Sequence, residues 1–225
     1  MVLGSALQAR RVLAADAAGD ESAHMVMTML RTKQPGDQAR ADAVAAEAKK
    51  VADRYVDYHM ALSDGFRIFM PDQPQKVYHF VKDEALEASR ESFDASRPSA
   101  LLYEKTEGEK PGYRLVGVMY TDRFGASEEE LNDRVPLSIA RWHEHVNLCV
   151  PSDEQGRHWL AGDPQFGLSG SITTQQACTA AGGRFMTHLA GWMVHVYPFE
   201  QDHAKMWGAG MGDDGPRASM PGMKM

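Results

Sequence analysis

Cysteine is scarce in this chain, with only Cys149 and Cys178 among 225 residues. The pair has neither Cys-x-x-Cys nor zinc-ribbon spacing, which excludes a ribbon-type zinc site and a thioredoxin-like redox motif. Two readings remain, one disulfide in an exported protein or two reduced buried thiols. Long apolar runs are also missing. No stretch reaches the roughly 18 apolar residues that a membrane-spanning helix needs. The opening MVLGSALQARRVLAADAAGDESAH lacks the uninterrupted apolar core of a signal peptide. Basic excess is absent, since 31 acidic and 24 basic side chains leave a net charge of −7. A nucleic-acid surface wants the opposite sign, so none is expected. No phosphate-binding loop or dinucleotide fingerprint occurs, and FGLSGS fails the spacing of a nucleophile elbow.

What is present supports one core of ordinary size. Hydrophobic residues make up 43% and charged residues 24% of the chain, so a single fairly large domain is expected. Residues 1–36 read as an N-terminal extension rich in Ala and charge, ending in a run where Met25, Met27 and Met29 alternate. From Asp37, a plausible N-cap, apolar residues recur at helical spacing through Ala41, Val44, Ala45, Ala48, Val51, Ala52, Tyr55 and Val56. The spacing predicts a long helix over about 37–63, with Gly65 as its stop.

Beyond it the period shortens. LLYEKT and GYRLVGVMYT flank EGEKPG as a β-hairpin, and FRIFMP, KVYHFV, VPLSIARWHEHVNLCV and GWMVHVYPF read as further strands. DEALEASR is a short helix. Ser127 and Glu130 form a capping box, as do Thr173 and Gln176 before a small helix that Gly182 ends. The expected fold is α+β, a long N-terminal helix packed on a mainly antiparallel β-sheet body. The domain spans 37–204, and residues 205–225 form a mobile Met-rich tail with Met206, Met211, Met220, Met223 and Met225.

RWHEHVNLC carries the chemistry. A strand places His143, His145, Asn147 and Cys149 on one face and Trp142, Glu144, Val146 and Leu148 on the other. A helix would turn the two imidazoles about 200° apart. His79 in VYHFV and His195 in MVHVYPF sit at comparable positions among apolar neighbours. Each alone reads as a satisfied core histidine, but together they suggest one metal site built from His79, His143, His145 and His195. Copper is favoured because of the methionines, with Met119 and Met193 placed as axial ligands or shields, and zinc comes second. The His-x-His spacing resembles cupin strands, although the following Glu and the glycine framework of that pattern are missing. HEHVN also lacks the His-Glu-x-x-His helical geometry of metalloproteases. Cys149 activated by His145, Glu104 and Tyr197 are weaker candidates for chemistry.

LLYEKT, YRLVGVMYT, PLSIARWHEHVNLCVP, FGLSGSITT and GWMVHVYPFE resemble an uncharacterised family of bacterial proteins. The resemblance covers about residues 55–204 and implies a self-contained domain without an assigned activity. The expected function is therefore a metal-binding protein, periplasmic or secreted, extending to a metalloenzyme of unnamed reaction. The alternative is a metal-free module that binds a small ligand in a pocket lined by histidines and aromatics. No membrane span and no nucleic-acid partner are expected.

Overall fold

The computed structural model describes residues 23–71, 75–108, 112–152, 165–168 and 170–208. Seven strands form one sheet in the order β1-β6-β7-β5-β4-β3-β2, and every neighbouring pair is antiparallel. The strands are β1 (Met25–Met27), β2 (Arg67–Ile68), β3 (Tyr78–Val81), β4 (Ala100–Thr106), β5 (Gly112–Thr121), β6 (His143–Pro151) and β7 (Gly183–Val196). Six helices accompany them: α1 (Asp37–Arg54), α2 (Tyr58–Ser63), α3 (Asp83–Glu91), α4 (Glu128–Arg134), α5 (Gln175–Ala180) and α6 (His203–Met206). None of the described helices is long and apolar enough to cross a membrane. The Met-rich tail lies outside the described residues from position 209 onward.

The long helix expected over 37–63 is not one helix. It divides into α1 and α2, because Tyr55 leaves helical geometry and caps α1, with its N–H donating to the Ala52 carbonyl. The Tyr103 hydroxyl then donates to the Tyr55 carbonyl at 2.7 Å, and Asp57 caps the start of α2. The N-cap of α1 is Gly36 rather than Asp37, whose carboxylate accepts from the Gln34 amide and the Ser138 hydroxyl. The apolar stripe Ala41, Val44, Ala45, Ala48 and Ala52 is buried as its spacing implies, and its small side chains let α1 lie close to the sheet.

That helix covers one sheet face, where Phe80, Leu101, Tyr103, Val118, Tyr120, Trp142, Val194 and Val196 form the main core. The opposite face carries a second apolar set that includes Val81, Ala100, Leu102, Met119, Met193 and Tyr197. Several local expectations hold, among them the β4–β5 hairpin and the Ser127–Glu130 capping box that starts α4. Others shift. The capping residue of α5 is Thr174 rather than Thr173, and the PLSIA segment makes a turn before β6 instead of a strand. β7 begins at Gly183, eight positions before the expected 191, and β1 joins the sheet from within the presumed extension.

The cysteines form a disulfide, Cys149–Cys178, with Cα atoms 5.4 Å apart. It fastens α5 to the end of β6 over a small cluster with Phe166 and Phe185. Its 29-residue separation implies a loop-closure contribution of roughly 3–4 kcal/mol. Replacing both cysteines by Ala is expected to lower the urea midpoint accordingly, and thiol titration of denatured, unreduced protein should find no free thiol. Gly117 is a second point of dependence. A Cβ there would sit 2.5 Å from the Val196 carbonyl oxygen and 3.0 Å from the Tyr197 ring. Gly117→Ala should therefore cost about 1–3 kcal/mol in the same assay, by overpacking against backbone.

Candidate functional site

Register places the four histidines on one side of the sheet. His79 pairs with Leu102, Leu102 with Gly117, and Gly117 lies beside Tyr197, so His79 faces the strand that carries His195 across a position without a side chain. Three strand steps separate β3 from β7, about 14 Å in a flat sheet at the usual spacing. The His79 and His195 rings nevertheless lie 5.5 Å apart, so the sheet coils around this face. His143 lies 5.0 Å from His195 and 5.5 Å from His145, centroid to centroid. All four imidazoles thus come together. On the β1 side, Met25 pairs with His145 and Met27 with His143.

A register shift between His143 and His145 sets this arrangement. His143 is opposite Met193, but His145 is opposite Leu189, so β7 bulges between them. Ala190 takes a positive φ of 62° there, and Gly191 accepts an approach by the Asp122 carbonyl that a Cβ would forbid at 1.9 Å. The bulge holds Asp122 against β7, where its amide donates to the Trp192 carbonyl.

Burial controls the charge. His143 and His145 are buried, while His79 and His195 keep part of their surface in solvent. Desolvation, then the proximity of His145 and His79, pushes His143 down to about 3. Desolvation and His145 push His79 down to about 4, opposed by its hydrogen bond to the Val77 backbone. His195 is lowered too, by burial first and then by His143, His79 and His145. The Tyr197 hydroxyl lies 3.5 Å from His195 Nδ1, and His195 Nε2 is buried with no hydrogen-bond partner among the described residues.

The expected metal centre is overturned. Among the described residues, no group of three or more His, Cys, Asp or Glu side chains could hold a metal ion. Chelation requires donor nitrogens to converge on one point at roughly 2.0–2.1 Å. The rings meet edge to face, at 77° for His143 and His145 and 83° for His143 and His195. Met119 and Met193 belong to the apolar core of the same face.

The weaker candidates resolve individually. Cys149 is in the disulfide and offers no thiolate. Glu104 is paired with Arg114 at the hairpin. A pocket of about 50 Å³ lies elsewhere, between α3 and β5, and its lining includes Ser89, Phe93, Arg97 and Tyr120 but none of the four histidines. Two histidines were passed over by sequence pattern. Buried His24 places Nδ1 3.0 Å from the Asn147 carbonyl oxygen and Nε2 2.6 Å from that of Gly170, tying β1 to β6 and the following loop. His188 meets the buried Glu144 across strands at 3.0 Å. Only strand register could have revealed either pair.

The lowered imidazoles make stability depend on pH with a definite sign. Their folded values lie below the ordinary 6.5, so the unfolded chain takes up protons first as pH falls. Their contribution is complete above about pH 6.5 and diminishes as the medium acidifies toward 4. Carboxylates titrate mostly below that window. The melting temperature should therefore fall between pH 7 and 4.5, and His143→Gln should flatten the slope. An unchanged slope would show that His143 is not held neutral by burial.

No protein-family model, no curated protein and no solved structure matches this chain, so the reading of the site rests on its residues.

Proposed function

We propose that this domain is a metal-free binding module that holds a small hydrogen-bonding ligand at the imidazoles of His79, His143, His145 and His195. The observation that carries this reading is the His195 Nε2 atom, buried and without a hydrogen-bond partner among the described residues, in a group with three other imidazoles. A buried polar atom left unpaired costs about 1–3 kcal/mol, and a ligand that engages it recovers that cost. Tyr197 and the apolar Leu102, Met119 and Met193 form a cluster on the same sheet face, so polar and apolar groups mix there as is usual in small-ligand sites. His79 and His195 are the two of the four that are partly exposed, which favours approach from their side. The disulfide supports a periplasmic or secreted location, because such bridges persist where thiols are not kept reduced.

The test is a ligand-observed NMR screen of chelator-dialysed wild-type protein against small amides, phenols, alcohols and oxyanions. His195→Leu, which removes both nitrogens and keeps an apolar side chain, should weaken any true site ligand at least tenfold, about 1.4 kcal/mol. A screen without hits, or hits indifferent to His195→Leu, would reject the module.

A further inference from the structure

We propose that the cavity between α3 and β5 is a second binding site, which takes the zwitterionic head group of a small α-amino acid. It is separate from the histidine face, since none of the four imidazoles lines it.

The turn that follows α3 builds the site. The Asp94 carboxylate accepts from the Ser96 amide at 2.9 Å and from the Ser96 hydroxyl at 2.6 Å. The Arg97 amide donates to the Asp94 carbonyl at 3.0 Å, which closes a turn and brings Asp94 and Arg97 to the same cavity. The Tyr120 hydroxyl donates to the Ala95 carbonyl at 2.6 Å and fastens this turn to β5. In the more buried part of the lining, the Ser89 hydroxyl meets that of Thr121 at 2.6 Å, and the Ser99 hydroxyl meets the same oxygen at 2.7 Å. Arg134 donates to the Ser89 and Thr121 carbonyls from behind. The polar groups of that part are therefore engaged within the protein.

The exposed part of the lining differs. Arg97 makes no ion pair and no side-chain hydrogen bond among the described residues, whereas Arg31, Arg67, Arg114 and Arg134 each hold a carboxylate. The Ser92 hydroxyl and Asp94 Oδ2 make no hydrogen bond among the described residues either. A cation, a hydroxyl and a carboxylate oxygen thus stand unengaged around one small cavity.

The charge of the ligand follows from this pair. Asp94 is held below the usual carboxylate range, first by the Ser96 hydroxyl and then by its amide, and Arg97 favours the same ionised form. A lone anion would gain Arg97 and be repelled by Asp94, and a lone cation would meet the reverse. A molecule with both signs on neighbouring atoms satisfies both groups. An α-amino acid carries its ammonium and carboxylate on one carbon, the ammonium for Asp94, the carboxylate for Arg97 and the Ser92 hydroxyl. Size then selects the side chain. The cavity of about 50 Å³ holds roughly three to five water-sized groups, and Ala85, Ala88 and Phe93 give it apolar walls. Side chains like those of alanine and serine fit that space, and aromatic ones do not.

L-Alanine is the probe. Titrated into isotope-labelled full-length protein, it should shift the amide NMR signals of Ser92, Phe93, Asp94 and Arg97 saturably. Calorimetry should find L-alanine bound at least tenfold more tightly than acetate, methylamine or L-phenylalanine, which lack one charge or exceed the space. Arg97→Gln and Asp94→Asn should each weaken L-alanine at least tenfold. Both side chains are exposed, and circular dichroism checks that each variant is folded. His195→Leu should leave L-alanine binding unchanged, so this site stands or falls apart from the binding-module reading above. Acetate bound as tightly as L-alanine would overturn the zwitterion. L-Alanine that shifts none of these amides, or binds both variants as it binds the wild type, would overturn the site.

Discussion

The coiling of the sheet about Gly117 is the constraint on which the histidine face depends. β3 and β7 are not neighbours in the sheet, and their imidazoles meet only because the strands between them curve and one position on the way is empty of side chain. Val196 and Tyr197 fill the space that a Cβ would need. The same curvature leaves the other face to α1, whose alanine stripe permits a close layer over Tyr103, Val118 and Val194. One bend thus separates a dry hydrophobic core from a face that mixes apolar and polar groups.

Three further devices hold that face in shape. The bulge at Ala190 and Gly191 re-registers β7 against β6, so that His143 and His145 each find their place beside Met193 and Leu189. Asp122 also lies beside Arg134, 2.7 Å from its Nε, and Arg134 donates to the Ser89 and Thr121 carbonyls, linking α4, α3 and the end of β5. Farther along the β6–β7 arm, the disulfide secures α5. These ties do not touch the imidazoles. They restrict how far the strands bearing them can move apart.

Electrostatically, the imidazoles act on one another: His145 lowers His79, His143 and His195, and His79 lowers His143 and His195. Mutual proximity and desolvation both favour the neutral form of His79, His143 and His195. The response of these three imidazoles to acid has one cause, the cost of placing a positive charge on a buried ring.

Local signals were legible along the chain because they depend on neighbours in sequence. The alternating LLYEKT and GYRLVGVMYT runs became β4 and β5, Ser127 and Glu130 capped α4, and Gly182 ended α5 with a positive φ of 77°. HEHVN declared a strand with two histidines on one face, and the isolated patterns around His79 and His195 suggested that they belonged with it. Tertiary structure decided the rest. The helical period runs through Tyr55 without a break, so the division of α1 from α2 was invisible until the Tyr103 hydroxyl was seen to take up the Tyr55 carbonyl. RFMTHLAG lacks clean alternation, and it became strand because β6 pairs with it along that length. The sequence also could not distinguish chelation from packing. Which residues face one another follows from period two and register. Where their nitrogens point depends on sheet curvature, a bulge and ring orientation, and these are properties of the assembled fold.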